Sequence, residues 1–294
     1  MIYLILSIVC SSLLVVSFKL FDRNNIPVFP AIVFNYLAAT ATAFVFLPDK
    51  SSIYDGSILS NDWVPFALGL GSLFILIFNL TSKTTVQYGV STASVAMKLG
   101  LVFPVMLAFL VYGESYNALK LLGIVLAFIA VILSSIKSNG KELNSSKSSF
   151  AILPMLVFIG SGACDSLTQF ANKTYLTNSG MEEFSFFLFV AAALIGFILL
   201  MAQILTGKTK LTSKIIIGGT LLGIANYFSF LFILKALSAI SWGSSVVFPV
   251  SNLGTVALTT IIGVLFFKEQ ISKVNFTGLV FAAGAIVLII LSGH

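Results

Sequence analysis

Apolar runs of bilayer-spanning length, each bounded by Gly, Pro, Asn or a cluster of charges, recur from one end of the chain to the other. They predict helices near 2–21, 29–47, 63–82, 90–112, 117–136, 150–172, 184–205, 214–236, 243–267 and 274–292. A helix needs about 20 mostly apolar residues to cross a bilayer, so the pattern predicts an all-α integral membrane protein with ten transmembrane helices. A closed β-barrel would alternate polar and apolar positions over strands of about 10 residues. The stretch from Leu121 to Ile136 is continuously apolar, which excludes that reading. Residues 2–21 lack a basic leader and a small-x-small cleavage site, so they are read as the first helix and not as a signal peptide. Residues 137–149 break the pattern: Lys137-Ser-Asn-Gly-Lys-Glu-Leu-Asn-Ser-Ser-Lys-Ser-Ser149 is polar, basic and rich in Ser. Such a segment predicts a flexible linker, with five helices in 1–136 and five in 150–294.

Composition agrees with the pattern. Hydrophobic residues make up 58% of the 294 and charged residues 9%, with a mean hydropathy of +1.08, against about 45–50% and about 25% in soluble domains. The loops are too short for a folded domain outside the membrane, so function is expected within it. The formal charge of +6 and the pI near 9.3 would suggest nucleic acid in a soluble chain. Here the cations flank apolar runs and act as topology signals, which removes nucleic acid as a partner and leaves the lipid bilayer. Eleven of the sixteen Lys and Arg residues fall at junctions after helices 1, 3, 5, 7 and 9, and four after the even helices. Because basic loops stay cytoplasmic, the bias predicts both termini outside.

Paired-carboxylate and metal chemistry have no parts to work with, and a Ser-Lys dyad using Lys98 is formally possible but has no supporting signature. Cys10 and Cys164 both lie inside apolar runs, which rules out a disulfide framework and a CxxC site. The one histidine is the terminal His294, and there is no HExxH pattern or P-loop. Neither an enzyme nor an ATP-driven pump is expected, and no cofactor or metal, with proton or ion coupling left open.

The two halves resemble each other. Gly71 precedes Lys83 by twelve residues and Gly223 precedes Lys235 by twelve; Glu114 precedes Gly123 by nine and Glu269 precedes Gly278 by nine. The first two pairs align at an offset of 152 and the second two at 155. Repeats with an odd number of spans lie in opposite orientations, which predicts two inverted five-helix repeats, the architecture of many alternating-access transporters. The five-plus-five plan, the turns Val-Tyr-Gly-Glu114-Ser…Leu-Leu-Gly123 and Phe-Phe-Lys-Glu269-Gln…Thr-Gly278, and Ala236-Leu237 after Lys235 resemble the EamA-like family of the drug/metabolite transporter superfamily. The resemblance covers nearly the whole chain. It implies an EamA-like repeat in 1–136 and another in 150–294, a multi-pass protein of the bacterial plasma (inner) membrane, and secondary transport of a small-molecule substrate. Export of amino acids or amphipathic organic solutes is the expected activity, with a lipid-carrier flippase or a non-transporting membrane scaffold as alternatives. Most members of that family keep both termini in the cytoplasm, against the charge bias; monomer and homodimer are both left open.

Charges deep in a span cost roughly 2.5–3.5 kcal/mol on insertion scales and usually mark a pathway or a buried pair. Lys98 in helix 4 is the deepest cation, and Asp165, in Gly160-Ser-Gly-Ala-Cys-Asp165 of helix 6, is the one acidic residue well inside a span. Lys98 is the candidate for a substrate carboxylate or other anion, and Asp165 for a substrate amine or a coupling proton; the bland alternative is a permanent ion pair. Of the buried amides (Asn35, Asn79, Gln169, Asn172, Asn226, Asn252), most are expected to tie helices together at about 0.6 kcal/mol each. Asn226 and Asn252 are singled out as binding candidates, the first near mid-helix and the second after a proline. Pro104 and Pro249 share the string Val-Phe-Pro-Val in helices 4 and 9 and are expected to kink them, freeing a carbonyl four residues earlier. Gly69-x-Gly71 and Gly219-x-x-x-Gly223 read as faces for close helix contact. Ser91, Thr92, Ser94, Ser244 and Ser245 are expected to bond their own helices, and Glu114 and Glu269 to be solvated caps or partners of a nearby Lys.

Overall fold

The computed structural model describes residues 1–88, 96–115, 117–135, 152–176, 180–239, 243–268 and 273–291. The 137–149 segment, Ser91, Thr92, Ser94, Glu269 and His294 lie outside the described residues. Within them all regular structure is helical, and each predicted apolar run is a helix. These are α1 (Ile2–Arg23), α2 (Val28–Val45), α3 (Trp63–Tyr88), α4 (Ala96–Leu110), α5 (Ala118–Ser135), α6 (Ile152–Thr174), α7 (Met181–Leu205), α8 (Ser213–Ala239), α9 (Ser244–Phe267) and α10 (Lys273–Leu291). Seven of them, α1, α2, α3, α6, α7, α8 and α9, are long and apolar enough to cross a membrane; α4, α5 and α10 hold shorter apolar stretches. Large side chains such as Leu110, Leu205, Leu265 and Phe266 are exposed on the outside, a surface that hydrocarbon covers at no cost and water does not. The chain is a multi-pass membrane protein.

The limits of two helices differ from the hydrophobic runs for physical reasons. α3 continues to Tyr88, so Lys83 sits on a helix and not in a loop; hydropathy reports what lipid covers, whereas backbone pairing decides where a helix ends. α4 is interrupted at Gly100–Leu101 before its regular last nine residues, Val102–Leu110. It stops at Gly113, whose φ of 59° is open to glycine and turns the chain so that the Glu114 N–H donates to the Ala108 carbonyl at 3.0 Å. Between α2 and α3 two one-turn helices, Ser51–Tyr54 and Ser57–Ser60, were not foreseen. Asp49 accepts from the Ser51 N–H at 2.8 Å and Asp55 from the Ser57 N–H at 2.9 Å, and these amides hold both exposed carboxyls below their ordinary range.

The helices gather into two compact units, Met1–Asn79 with Leu167–Ala239, and Leu80–Ser166 with Ile240–His294. Each draws helices from both sides of the 137–149 segment.

In the first unit, glycines set the helix spacing. A Cβ on Gly219 would meet Phe34 Cβ at 2.5 Å and the Ala31 carbonyl oxygen at 2.6 Å, and one on Gly223 would strike the Asn35 carbonyl oxygen. The Gly219-x-x-x-Gly223 face therefore lies backbone to backbone against α2, and the two helices run parallel. α1 runs antiparallel to α8: Phe21 covers Gly218, while Ser7 donates to the Ser229 carbonyl at 3.2 Å and Ser11 pairs with the Ser229 hydroxyl at 2.7 Å. Asn172 donates to the Leu234 carbonyl at 3.0 Å and to Ser238 at 3.1 Å, tying α6 to α8. Tyr36, Phe184, Phe189 and Tyr227 fill the core between these helices. In the second unit α5 and α10 pack antiparallel, with Ile289 and Ala285 against Gly123 and Leu126 against Gly284.

Candidate functional site

Lys98, Asp165 and Asn252 all belong to the second unit. Their meeting starts from a glycine contact. A Cβ on Gly100 of α4 would meet the Gly162 nitrogen at 2.8 Å, and one on Gly162 of α6 would meet the Gly100 carbonyl oxygen at 2.8 Å. Without side chains at these two positions the backbones touch, and Ser161 adds a hydrogen bond from its hydroxyl to the Met97 carbonyl at 3.2 Å. Lys98 lies two residues before Gly100, and Asp165 three residues after Gly162 on its helix, so the crossing brings the two charges into electrostatic reach of each other.

The Lys98 ammonium donates to Asn252 Oδ1 of α9 at 2.8 Å. An ammonium has three N–H donors, so this bond leaves two to offer. Because Asn252 accepts through Oδ1, its amide nitrogen keeps two further donors. The three side chains are half-buried and each keeps part of its surface accessible. Chemically this is a donor-rich cluster with one carboxylate beside it, able to receive an anionic group at Lys98 and Asn252 and a cationic group or proton at Asp165.

The other predicted residues fall elsewhere. Asn226 is buried in the first unit, on α8 one turn beyond Gly223. Pro104 occupies the first turn of the regular part of α4, where an N–H would have no helical partner; the Gly100 carbonyl four residues earlier accepts from the Phe103 N–H at 3.0 Å and is not freed. Pro249 lies inside α9.

The pattern did not disclose what Glu114 does. Its carboxylate accepts from the N–H of Ser244 at 2.9 Å and of Ser245 at 3.1 Å, and from both hydroxyls at 2.6 Å. The first two amides of a helix have no partner within it, and Glu114 supplies one to each, with its charge at the positive end of the helix dipole. Gly243, with φ 83°, precedes them, and a Cβ there would strike the Glu114 carboxylate. The readable sign was the Gly-Ser-Ser string at the start of an apolar run. Ser244 and Ser245 were expected to bond their own helix, and instead bond Glu114.

Comparison with known proteins adds the family. The model of the EamA-like transporter family matches residues 1–136. A protein of Haemophilus influenzae described as uncharacterized is 33% identical over 286 residues, covering 96% of this chain and 95% of its own. A solved crystal structure, described only as that of a protein, is similar at a TM-score of 0.70 and 13% identity, covering 99% of this chain and 96% of that one. At that identity the likeness concerns the fold alone.

Proposed function

We propose that this chain, which belongs to the EamA-like transporter family, is a ten-span secondary transporter that exports a small metabolite such as an amino acid or an amphipathic organic solute. Its halves act as inverted repeats that open alternately to either side. Lys98 and Asn252 receive the anionic group of the substrate, and Asp165 receives an amine or the coupling proton. The observation that carries this reading is the Lys98–Asn252 bond beside Asp165 among apolar helices. A membrane keeps such polar groups only against a cost, and the glycine crossing of α4 and α6 holds them ready for a ligand. The directions of packed helices fit serial crossing of a bilayer: α1 against α8 and α5 against α10 are antiparallel, and α2 with α8 is parallel.

The test is uptake and counterflow in proteoliposomes, with a panel of amino acids, organic anions and sugar phosphates, with and without a pH gradient. Saturable flux is expected in the native protein and its loss in Lys98→Met, with the variant still monodisperse in detergent. Unchanged flux in Lys98→Met overturns the site. No flux for any soluble solute, from folded protein, overturns the metabolite reading in favour of a lipid-carrier flippase or a scaffold.

In this reading the chain lies in a bacterial inner membrane, as the family resemblance implies, with both termini outside, an orientation supported by the Lys and Arg bias. A C-terminal reporter that works only in the cytoplasm is expected to be silent, and an active one reverses the orientation.

A further inference from the structure

The first unit is polarised along its length. At one end the close of α1 and the starts of α2 and α8 come together: Phe21 covers Gly218 and shares a buried cluster with Ala31 and Ile215. α7 runs antiparallel to α2, since Val33 lies against Gly196, Tyr36 against Phe189 and Phe44 against Phe186. The close of α7 and the 206–212 loop therefore reach the same end.

The residues around this junction set its charge. Lys19 and Arg23 flank Phe21, Lys214 directly precedes Ile215, and Lys208 and Lys210 lie in the loop, with Asp22 as the accompanying carboxylate. Arg23, Lys208, Lys210 and Lys214 are exposed, and among the described residues none of them is held in an ion pair. The other end of the unit is the reverse. Asp49, Asp55, Asp62, Glu182 and Glu183 gather there, and its cations are answered by the protein itself. Lys235 pairs with Glu182 at 2.7 Å and lies over the Tyr3 ring, and Lys50 lies over the Phe44 ring.

Exposed aliphatic side chains adjoin the unanswered cations. Leu20 follows Lys19, Leu211 follows Lys210, and Ile216 and Ile217 come just after Lys214, all with much of their surface open. A small soluble anion has no use for that apolar surface. Cations set directly against exposed hydrocarbon match an amphiphile with an anionic head and acyl tails.

We propose that this end of the first unit selectively binds an anionic phospholipid. Arg23, Lys208, Lys210 and Lys214 receive the phosphate of the headgroup, and Leu20, Ile216 and Ile217 receive the upper part of the acyl chains. The Arg23 guanidinium can hold two phosphate oxygens at once, and the lysines act as point charges around it. The site is separate from Lys98 and does not rest on the transport reading.

Thermal unfolding of the purified full chain in detergent micelles tests it. The additives are dioleoylphosphatidylglycerol, dioleoylphosphatidylcholine, which has the same tails and no net charge, and inorganic phosphate, at equal concentration. The phosphatidylglycerol is expected to raise the melting temperature by about 2 °C or more over the phosphatidylcholine. The increment should shrink in about 1 M sodium chloride, which screens exposed charges beyond about 3 Å. It should vanish when Arg23→Gln, Lys208→Gln, Lys210→Gln and Lys214→Gln are combined, and persist in Lys50→Gln at the opposite end. An equal rise with phosphatidylcholine, or an increment undiminished in the combined variant, overturns the assignment. So does an increment that inorganic phosphate reproduces in full, which would make this a site for a free anion. If the combined variant does not fold, Lys208→Gln with Lys210→Gln, both in the exposed loop, decides: an undiminished increment overturns the site and a smaller one supports it.

Discussion

Replacing Gly71 by Ala is expected to destabilise the protein by about 3 kcal/mol, while the same change two residues earlier, at Gly69, is neutral or mildly stabilising. By helix propensity alone both substitutions should help, since alanine is favoured over glycine by about 1 kcal/mol within a helix. Space decides the sign. A Cβ on Gly69 meets nothing within 4 Å, whereas one on Gly71 runs into the carbonyl oxygen of Leu188 on α7 and lies 3.1 Å from Ala191 Cβ. A carbonyl within a helix cannot turn aside as a side-chain tip does, so α3 and α7 must move apart. Phe184, Leu188 and Ala192, buried in the same core, lose contacts with them. Gly223→Ala is expected to act in the same way, because its Cβ would strike the Asn35 carbonyl of α2 and come within 2.7 Å of Ala38 Cβ. Melting of the detergent-solubilised protein, with size-exclusion profiles before heating, measures the difference. Equal behaviour of Gly69→Ala and Gly71→Ala would remove the backbone contact from the account.

The helices were legible because hydrocarbon imposes a single requirement, an apolar run with its backbone paired internally, and that requirement is written residue by residue. The glycine contacts were legible only in kind. Gly219-x-x-x-Gly223 announces a close approach, but nothing local says that the partner is Ala31, Phe34 and Asn35. The site divides along the same line. Lys98 and Asp165 draw attention because each is costly by itself. That Lys98 bonds Asn252, on a helix more than 150 positions away, is a tertiary fact to which no spacing points. Glu114 escaped for the complementary reason: at the end of a run a charge looks ordinary, and its four donors lie 130 and 131 residues further on. At Pro104 the helix is interrupted one turn earlier, at Gly100–Leu101, the turn on which a proline's missing N–H and ring act; what the pattern could not show is that the Gly100 carbonyl is taken up again by the Phe103 N–H.

Glu114→Ala is expected to loosen α9 and, through it, the Lys98 site. Hydrogen bonds to a charged group contribute about 1.5–3 kcal/mol each before non-additivity, and a charge at a helix end about 0.3–1 kcal/mol more. Not all four bonds are lost outright, because the freed Ser hydroxyls turn toward other acceptors. A net loss of about 2–4 kcal/mol is the expected result. The larger consequence is geometric. Glu114 closes the end of α4, and Lys98 lies on the same helix; Ser244 and Ser245 open α9, with Asn252 two turns further along. The two helices are thus clasped at two levels, Glu114 to Ser244 and Ser245, and Lys98 to Asn252. Loosening the first clasp lets α9 slide or rotate, and a side chain displaced by 1 Å no longer meets its partner at 2.8 Å. Glu114→Gln keeps the shape and one carbonyl oxygen, so it should retain part of the cap and fall between the native protein and Glu114→Ala. Substrate affinity in proteoliposomes, read together with the melting temperature, separates the two consequences. A variant that melts lower yet binds substrate with native affinity would show that the cap supports α9 without positioning Asn252. Weakened affinity in Glu114→Gln, together with its intermediate melting temperature, is the expected outcome, because the Lys98–Asn252 bond depends on register more than on the total stability of the helix.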